Sequence, residues 1–393
     1  MFNKKVFLDY ASTTPVDKKV FKKMKSFFYN SFANAQSIHA EGVLNKKYLN
    51  EARSGVARLV QVRDGEIIFT GGGTESINLA ILGLAKRVLM EYKSKGLSEK
   101  PHIITTNIEH VAVLESCKSL ETDLDITYLK VNKEGFINSR QIEKELRPTT
   151  VLVSVMLANN EIGTVFPIRD ISRIIHKFKK QKAIEKNSYP FLHTDASQAP
   201  NYIDINVNRL GIDMMSLDGS KIYGPKGSGV LVKKKYVQIN PISFGGSQEF
   251  GLRAGTENLP LIYGFYLALK KTLEIQKEES KRLLKLQKYF INEIKNKFPK
   301  VNINGSIKKR LPNNVNICIP DINAEFIVIK LDNLGISCSS MTACRNLSET
   351  SSSYVVESID KKCGDSSLRF TMGRNTKKSD LKRVIRALSK IIK

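Results

Sequence analysis

A lysine in the stretch SLDGSKIYGPKG, residues 216–227, is the side chain of this sequence best placed to do covalent chemistry. An apolar run, residues 212–217, precedes Lys221, and a second run, residues 229–232, follows the Gly/Pro-rich turn. Because a lysine held between two buried strands loses hydration, its amine becomes a usable nucleophile toward a carbonyl group. The alternative is a surface lysine in a turn, which is the commoner case in a lysine-rich chain. Other residues are needed to choose between the two interpretations.

The stretch FLHTDASQ, residues 191–198, predicts a strand that ends at Asp195. A carboxylate against the ring nitrogen of pyridoxal phosphate (PLP) keeps that ring protonated and makes it a better electron sink. An Asp at a strand end followed by small residues caps a helix equally well, so Asp195 alone leaves both roles open. Together with Lys221, it resembles the class V aminotransferase family of PLP enzymes. Residues 216–227 look most like the cysteine desulfurase branch of that family.

A glycine-rich turn in EIIFTGGGTESIN, residues 66–78, joins a predicted strand over 67–70 to a helix. Glycines let the backbone approach a ligand closely, and the start of a helix offers free N–H groups and a partial positive charge. The sequence therefore predicts a phosphate cradle here, although glycine turns before helices are common. The resemblance implies that Gly73 and Thr74 contact the phosphate of PLP.

Four further residues take their roles from the resemblance. His110, in the segment EHVAVL, would stack on the PLP ring and help to move protons, whereas a lone histidine at a helix start is usually a cap. Asn160 and Gln198 would reach the ring hydroxyl, with Asn160 also contacting the substrate; otherwise the asparagines form a turn. Thr256, in a glycine-rich loop, would reach the phosphate bound by the other subunit, which implies a homodimer.

The sequence ISCSSMTAC, residues 336–344, aligns without a gap to the pattern around the desulfurase nucleophile. Cys344 occupies the nucleophile position, which requires an accessible thiolate, and a cysteine within a strand, such as Cys318, is expected to be inert. Arg369, in SSLRFTMGRNT, would hold the carboxylate of the substrate with its planar guanidinium group. Arg374, in the same motif, is expected to be structural.

Two residues depart from the family at the phosphate end of the predicted site. The family usually has Ser or Thr and His where this chain has Asp218 and Ser220, two positions counted among the expected cofactor contacts. A carboxylate close to a phosphate is repulsive. These replacements leave the strength of cofactor binding open.

The alternation of predicted strands and helices over residues 66–232 indicates an α/β fold with a mostly parallel, doubly wound sheet. In such sheets ligands gather at the carboxyl ends of the strands, where Thr70, Asn160 and Asp195 are expected. The resemblance implies the type I fold of PLP-dependent transferases. We expect a large PLP-binding domain over 16–259, and a smaller α+β domain, made of 1–15 and 260–393, that carries the cysteine loop.

The bulk composition limits partners and location. The chain has 393 residues and a net charge of +25, from 63 Lys and Arg against 38 Asp and Glu. An RNA partner would explain this charge, but the lysines are spread along the chain, so nucleic-acid binding is not predicted directly. The five cysteines are irregularly spaced without a C-x-x-C pair, so neither a metal site nor a disulfide framework is expected. We expect a cytoplasmic protein without a membrane segment or signal peptide.

The predicted activity is that of a cysteine desulfurase, which converts L-cysteine to L-alanine and leaves a persulfide on Cys344. The sulfur would pass to an acceptor protein, either an iron–sulfur scaffold or a tRNA-thiolating enzyme. A selenocysteine lyase or another class V lyase would use the same residues with a different acceptor. A non-catalytic paralogue that acts as a scaffold is the alternative of another class, and it is motivated by Asp218 and Ser220.

Overall fold

The computed structural model describes residues 5–340 and 352–392. The strands are β1 Val6–Phe7, β2 Ile67–Thr70, β3 His102–Thr106, β4 Asp125–Leu129, β5 Thr150–Ser154, β6 Phe191–Asp195, β7 Met214–Asp218, β8 Gly229–Lys233, β9 Asn302–Ile303, β10 Asn314–Cys318, β11 Ile336–Ser337 and β12 Ser367–Thr371. The helices are α1 Lys18–Met24, α2 Ala40–Val60, α3 Gly73–Ser94, α4 Val111–Lys118, α5 Ser139–Glu145, α6 Ile168–Gln181, α7 Val207–Leu210, α8 Leu259–Lys297, α9 Ala324–Asn333, α10 Tyr354–Glu357 and α11 Lys378–Ile391.

A seven-stranded sheet forms the centre of the larger part, in the order β2-β8-β7-β6-β5-β3-β4. The neighbours from β7 to β4 pair in parallel, and β8 runs antiparallel to both β7 and β2. The strand β2 therefore points the same way as the parallel strands, and its last residue lies at the same edge. This confirms the predicted α/β class and the mostly parallel sheet.

Helices cover both faces of this sheet, because alternate residues of each strand point to opposite sides. Ile67 and Phe69 of β2 join one apolar cluster together with α2 and the first half of α8. Ile68 joins the cluster on the other face, where α3 packs through the stripe predicted from helical spacing. All four residues of that stripe are buried: Ile77, Ile81, Leu84 and Val88.

A third apolar cluster holds the smaller part together. An antiparallel sheet, β12-β10-β9, and the pair β1-β11 pack against α9, α11 and the second half of α8. Phe290 of α8 meets Phe370 of β12 edge to face, with ring centroids 5.4 Å apart. Val6 and Leu8 bring the N-terminus into this cluster. Since α8 contributes to both parts, the proposed domain boundary at residue 259 stays a prediction.

Cys318, at the end of β10, forms a disulfide with Cys363, and the two sulfur atoms are 2.08 Å apart. The expectation of no disulfide framework is therefore wrong. The two cysteines are 45 residues apart, and their spacing gives no motif, because only the packing of β10 against the segment before β12 brings them together. The cytoplasmic location stays a prediction. None of the described helices is long and apolar enough to cross a membrane.

Candidate active site

A pocket lies where the parallel strands of the large sheet end, as the topology of an open α/β sheet requires. Its walls come from the residues after β2, β3, β5, β6 and β7, together with the N-terminal turn and β12. Nine of the predicted site residues line it: Gly73, Thr74, His110, Asn160, Asp195, Gln198, Asp218, Lys221 and Arg369. The fold thus brings these nine predicted residues together around one pocket.

Lys221 ends a short 3₁₀ turn, Gly219–Lys221, between β7 and β8, so it lies between two buried strands as predicted. Its Nζ donates a hydrogen bond to the backbone carbonyl of Ser12, and its own carbonyl accepts one from Asn201 Nδ2 at 2.7 Å. The side chain is half-buried and reaches the pocket. A backbone fixed in this way presents the amine in a defined direction.

Asp195 is the last residue of β6 and is buried. Its Oδ1 accepts hydrogen bonds from the backbone N–H of Ser197 at 2.9 Å and from Ser197 Oγ at 2.6 Å. Among the described residues no hydrogen bond reaches Oδ2, which leaves this oxygen for a ring nitrogen. The two roles that the sequence left open are compatible, because one oxygen holds the turn while the other remains available.

His110 caps the start of α4, where its Nδ1 accepts a hydrogen bond from the backbone N–H of Ala112 at 3.1 Å. In the neutral ring the proton therefore lies on Nε2. The neighbouring Glu109 is buried and accepts hydrogen bonds from Met156 N at 3.0 Å and Thr106 Oγ1 at 2.8 Å. Burial raises the pKa of Glu109 to about 8. The sequence prediction quoted Glu109 as part of a motif but assigned it no role.

The glycine turn delivers the start of α3, a helix of 22 residues, to the pocket. Gly72 has φ of 154°, which favours glycine, and a Cβ on Gly73 would lie 3.1 Å from Ser197 Oγ. Asp218 already lies over this turn. Its Oδ2 accepts from the Gly73 N–H at 3.2 Å, and its Oδ1 accepts from the Ser220 N–H at 2.7 Å. The cradle thus has the predicted shape and holds a carboxylate of the chain itself.

Arg369, in the middle of β12, forms the other end of the pocket, and only 3% of its side chain is exposed. Its Nη2 donates to Asp9 Oδ1 and to Ser12 Oγ, each at 2.9 Å, and its Nη1 donates to the Asn160 carbonyl at 3.2 Å. Its buried Nε has no hydrogen-bond partner among the described residues. The sequence analysis did not single out Asp9 and Ser12, which follow β1 and hold Arg369 in place.

Two predicted residues, Ser220 and Thr256, do not line the pocket. Ser220 is half-buried, and its carbonyl accepts from Thr14 N at 2.8 Å. Thr256 is exposed, and Cys344 lies outside the described residues. Arg374, which was expected to be structural, donates to Thr272 Oγ1 at 2.8 Å and stacks over Tyr223 at 3.8 Å.

The described residues fit PLP in shape and in type of group. Lys221 offers an amine, Asp195 offers a carboxylate oxygen for the ring nitrogen, and a close-approach glycine cradle lies at a helix start. The unsatisfied Nε of Arg369 leaves hydrogen-bonding capacity for a carboxylate at the opposite end. Asp218 lies in the pocket at the cradle, where its charge opposes a phosphate.

The comparisons with known proteins agree with this geometry. The family described as aminotransferase class-V matches residues 6–384. The cysteine desulfurase IscS of Dictyoglomus turgidum is 40% identical over 392 residues, covering 99% of this chain and 95% of that protein. A solved NifS-like protein superposes with a TM-score of 0.88 at 30% identity and 99% coverage of both chains. The solved structure described as SspA in complex with cysteine has a TM-score of 0.78 at 33% identity, covering 94% of this chain and 99% of the other.

These matches extend over nearly the whole chain, and they include the strands and turns that position Lys221, Asp195 and Arg369. The chain therefore belongs to the class-V aminotransferase family, in its NifS/IscS-like branch.

Proposed function

We propose that this protein is a PLP-dependent cysteine desulfurase that converts L-cysteine to L-alanine and takes up the sulfur on Cys344. The observation that carries the proposal is the meeting of Lys221, Asp195 and Arg369 around one pocket at the carboxyl edge of the sheet. The relatives of the chain are described as cysteine desulfurases, which agrees with this activity.

Each pocket residue has a defined task in this proposal. When bound, PLP supplies an electron sink for the carbon atoms of the substrate. Lys221 would hold it covalently, and Asp195 would stabilise the proton on its ring nitrogen. His110 would lie against the ring and move protons through Nε2. Arg369 binds the carboxylate of L-cysteine as a charge-assisted hydrogen-bond donor.

Sulfur transfer requires a second thiol, which we assign to Cys344. Its thiolate attacks the sulfur of the substrate, and the bond between that sulfur and the substrate Cβ breaks. The bonding electrons leave with the carbon, which takes a proton and becomes the methyl group of L-alanine. The new S–S bond leaves a persulfide on Cys344. An acceptor protein, either an iron–sulfur scaffold or a tRNA-thiolating enzyme, would then remove the outer sulfur.

We further propose that the protein is a homodimer in which Thr256 completes the phosphate site of the partner. The loop that carries Thr256 is held to the chain by the buried ion pair of Arg53 with Glu249, at 2.9 Å. Gln36 donates to Glu257 at 2.7 Å, which places the segment before α2 beside this loop. Large apolar side chains are exposed in that segment, in the first turn of α2 and in the loop itself. They favour a protein interface: Phe28, Tyr29, Phe32, Ile38, Val43, Phe244 and Phe250.

The direct test is to incubate the purified chain with PLP and L-cysteine, and to measure alanine, sulfide and the absorbance of the cofactor. We expect an absorbance band that changes on addition of L-cysteine, and alanine released in proportion to sulfur. A protein that stays colourless and takes up no PLP would instead support the scaffold alternative. Sedimentation in the same buffer tests the dimer, and a fully active monomer would contradict it.

A further inference from the structure

The carboxylate of Asp218 lies where the cradle would receive a phosphate. Asp218 is the last residue of β7, and its Oδ2 accepts the Gly73 N–H at 3.2 Å. Gly73 is the first residue of α3, so this N–H belongs to the unpaired donors at a helix start, which bind anions. The Asp218 carboxylate thus accepts a hydrogen bond from an N–H group that is predicted to bind the phosphate.

The space at this point is limited. A Cβ built on Gly73 would lie 3.2 Å from both Cβ and Oδ2 of Asp218, and a Cβ on Gly72 would lie 3.9 Å from Oδ2. The carboxylate is therefore packed directly over the turn. A phosphate oxygen that takes the Gly73 N–H must displace Oδ2, or else lie beside it at a distance where two negative charges repel.

The neighbouring charges do not compensate Asp218. The groove on the outer side of the glycine turn is lined by Glu75 and Asp218, and no Lys or Arg of the described residues lines it. Glu75 is itself engaged, since its Oε1 accepts from Arg253 at 3.0 Å and its Oε2 accepts from the Gly71 N–H at 2.6 Å. Asp218 has no ion-pair partner among the described residues, so its charge is balanced only by backbone N–H groups.

We propose that Asp218 is a specificity-determining residue that imitates the phosphate group inside the cofactor site and selectively weakens the binding of the phosphate end of PLP. This inference rests on the proposed use of PLP. It predicts a site that discriminates little between PLP and pyridoxal, the same aldehyde without the phosphate. The fraction of protein that carries cofactor then follows the available PLP concentration, because the cradle contributes little net affinity.

The experiment measures the affinity of the full-length chain for PLP and for pyridoxal by absorbance titration, without measuring turnover. The variants are Asp218→Asn, which removes the charge at nearly constant shape, and Asp218→Ser, which installs a residue usual in the family. We expect both to tighten PLP binding at least about tenfold, the scale of one like-charge contact at a protein surface. Pyridoxal affinity should change by less than about twofold, because that molecule has no charge at the cradle.

Asp204→Asn is the matched control. It removes one negative charge at an exposed ion pair with Arg209, outside the pocket, and should leave both affinities unchanged. The unchanged affinity for pyridoxal also reports that the Asp218 variants are folded.

Two results would overturn the inference. Equal PLP affinity in wild type and in both Asp218 variants would show that the carboxylate does not oppose the phosphate. A parallel change in PLP and pyridoxal affinities would place the effect at the ring rather than at the cradle. In either case the proposed function stands, provided that PLP still attaches to Lys221. If neither aldehyde binds wild type or any variant, the proposed function is wrong and the inference with it.

Discussion

The two ends of the pocket each hold a carboxylate of the chain itself, but the groups that face these carboxylates differ. At the substrate end, Asp9 pairs with the permanent cation of Arg369 at 2.9 Å. At the phosphate end, Asp218 meets only the N–H groups of Gly73 and Ser220. A guanidinium group has five N–H donors and can bind a second carboxylate beside the first. A single backbone N–H cannot serve two anions equally well.

Because of this difference, we expect one end of the pocket to determine the reaction of the substrate and the other end to determine the affinity for PLP. The pocket residues to which we assign roles in the reaction are those that the resemblance to the family implies: Lys221, Asp195, His110 and Arg369. Within the pocket, Asp218 departs from the family, and it lies at the predicted phosphate cradle. A site built in this way is expected to be competent in chemistry and weak in holding PLP. Variants at the two ends should therefore change different measurements.

We expect the largest effect from replacing Lys221, which lies between the two ends of the pocket and is the proposed site of covalent attachment. Lys221→Ala should abolish covalent attachment of PLP, because no other amine of the described residues lines the pocket. Reduction of the complex with borohydride, followed by mass spectrometry, measures the attachment. Lys226→Ala is the matched control, since this exposed lysine lies in the same turn but outside the pocket. Attachment that persists in the Lys221 variant would contradict the assignment.

The second effect separates cofactor binding from sulfur transfer. Cys344→Ser should leave PLP affinity and the first absorbance change with L-cysteine intact, because the pocket residues are untouched. Release of alanine and sulfide should fall at least about a thousandfold, since a hydroxyl cannot take up sulfur as a persulfide. Assays of alanine and sulfide measure this loss.

Cys338→Ser is the control for the nucleophile. Cys338 is buried in the apolar cluster of the smaller part, and burial raises the pKa of its thiol to about 12. A thiol of that kind is protonated and inaccessible at neutral pH, so its replacement should leave turnover nearly unchanged. If this variant loses activity while the Cys344 variant keeps it, the nucleophile has been assigned to the wrong cysteine.

The third effect tests the substrate end alone. Arg369→Lys keeps the charge but loses the planar donor group, and we expect KM for L-cysteine to rise about tenfold to a hundredfold. PLP affinity should not change, because Arg369 lies at the end opposite the cradle. Arg374→Lys is the matched control, since Arg374 contacts Asp17, Thr272 and Tyr223 rather than the pocket. An unchanged KM in the Arg369 variant would remove this residue from substrate binding.

The elements of the large sheet could be predicted because their signals are local. The apolar run before the glycine turn predicted a strand over 67–70, which the structure has, and the helical stripe from Ile77 to Val88 is buried as expected. Strand ends then located the site, because parallel strands bring their carboxyl ends to one edge of a sheet. For this reason Asp195 and Asn160 lie in the pocket with Lys221.

Contacts between distant segments could not be predicted in the same way. The bond between Arg369 and Asp9 joins residues 360 positions apart, and that between Asp218 and Gly73 joins residues 145 apart. Hydrophobic periodicity in the sequence does not indicate such pairs, because they follow from the packing of whole helices and strands against each other. The sequence indicated that Asp218 opposes a phosphate. It did not indicate that the Asp218 carboxylate accepts the hydrogen bond of the Gly73 N–H in the cradle. The disulfide of Cys318 with Cys363 was missed for the same reason.

That disulfide provides the smallest of the expected effects on the site. Cys318 is the last residue of β10, and its partner across the ladder, Ser367, lies two positions before Arg369 on β12. The Cys363 side of the bond belongs to the segment after α10. Ser353, the residue immediately before α10, donates from its Oγ to Glu161 Oε2 at 2.5 Å. The disulfide thus supports the substrate end of the pocket and has no direct contact with the cradle.

Replacing both cysteines, Cys318→Ala with Cys363→Ala, should therefore lower stability without changing PLP affinity. Closing a loop of 45 residues limits the loss in the free energy of unfolding to about 4 kcal/mol in the chain-entropy model. Denaturant unfolding measures this loss, and titration with PLP tests the cradle.

In wild type denatured without reductant, the bond leaves three of the five cysteines to react as thiols, and reduction should release the other two. Five reactive thiols before reduction would show that the bond is absent in solution. A large drop in PLP affinity in the double variant would show that the two ends of the pocket are coupled, which would contradict the separation argued above.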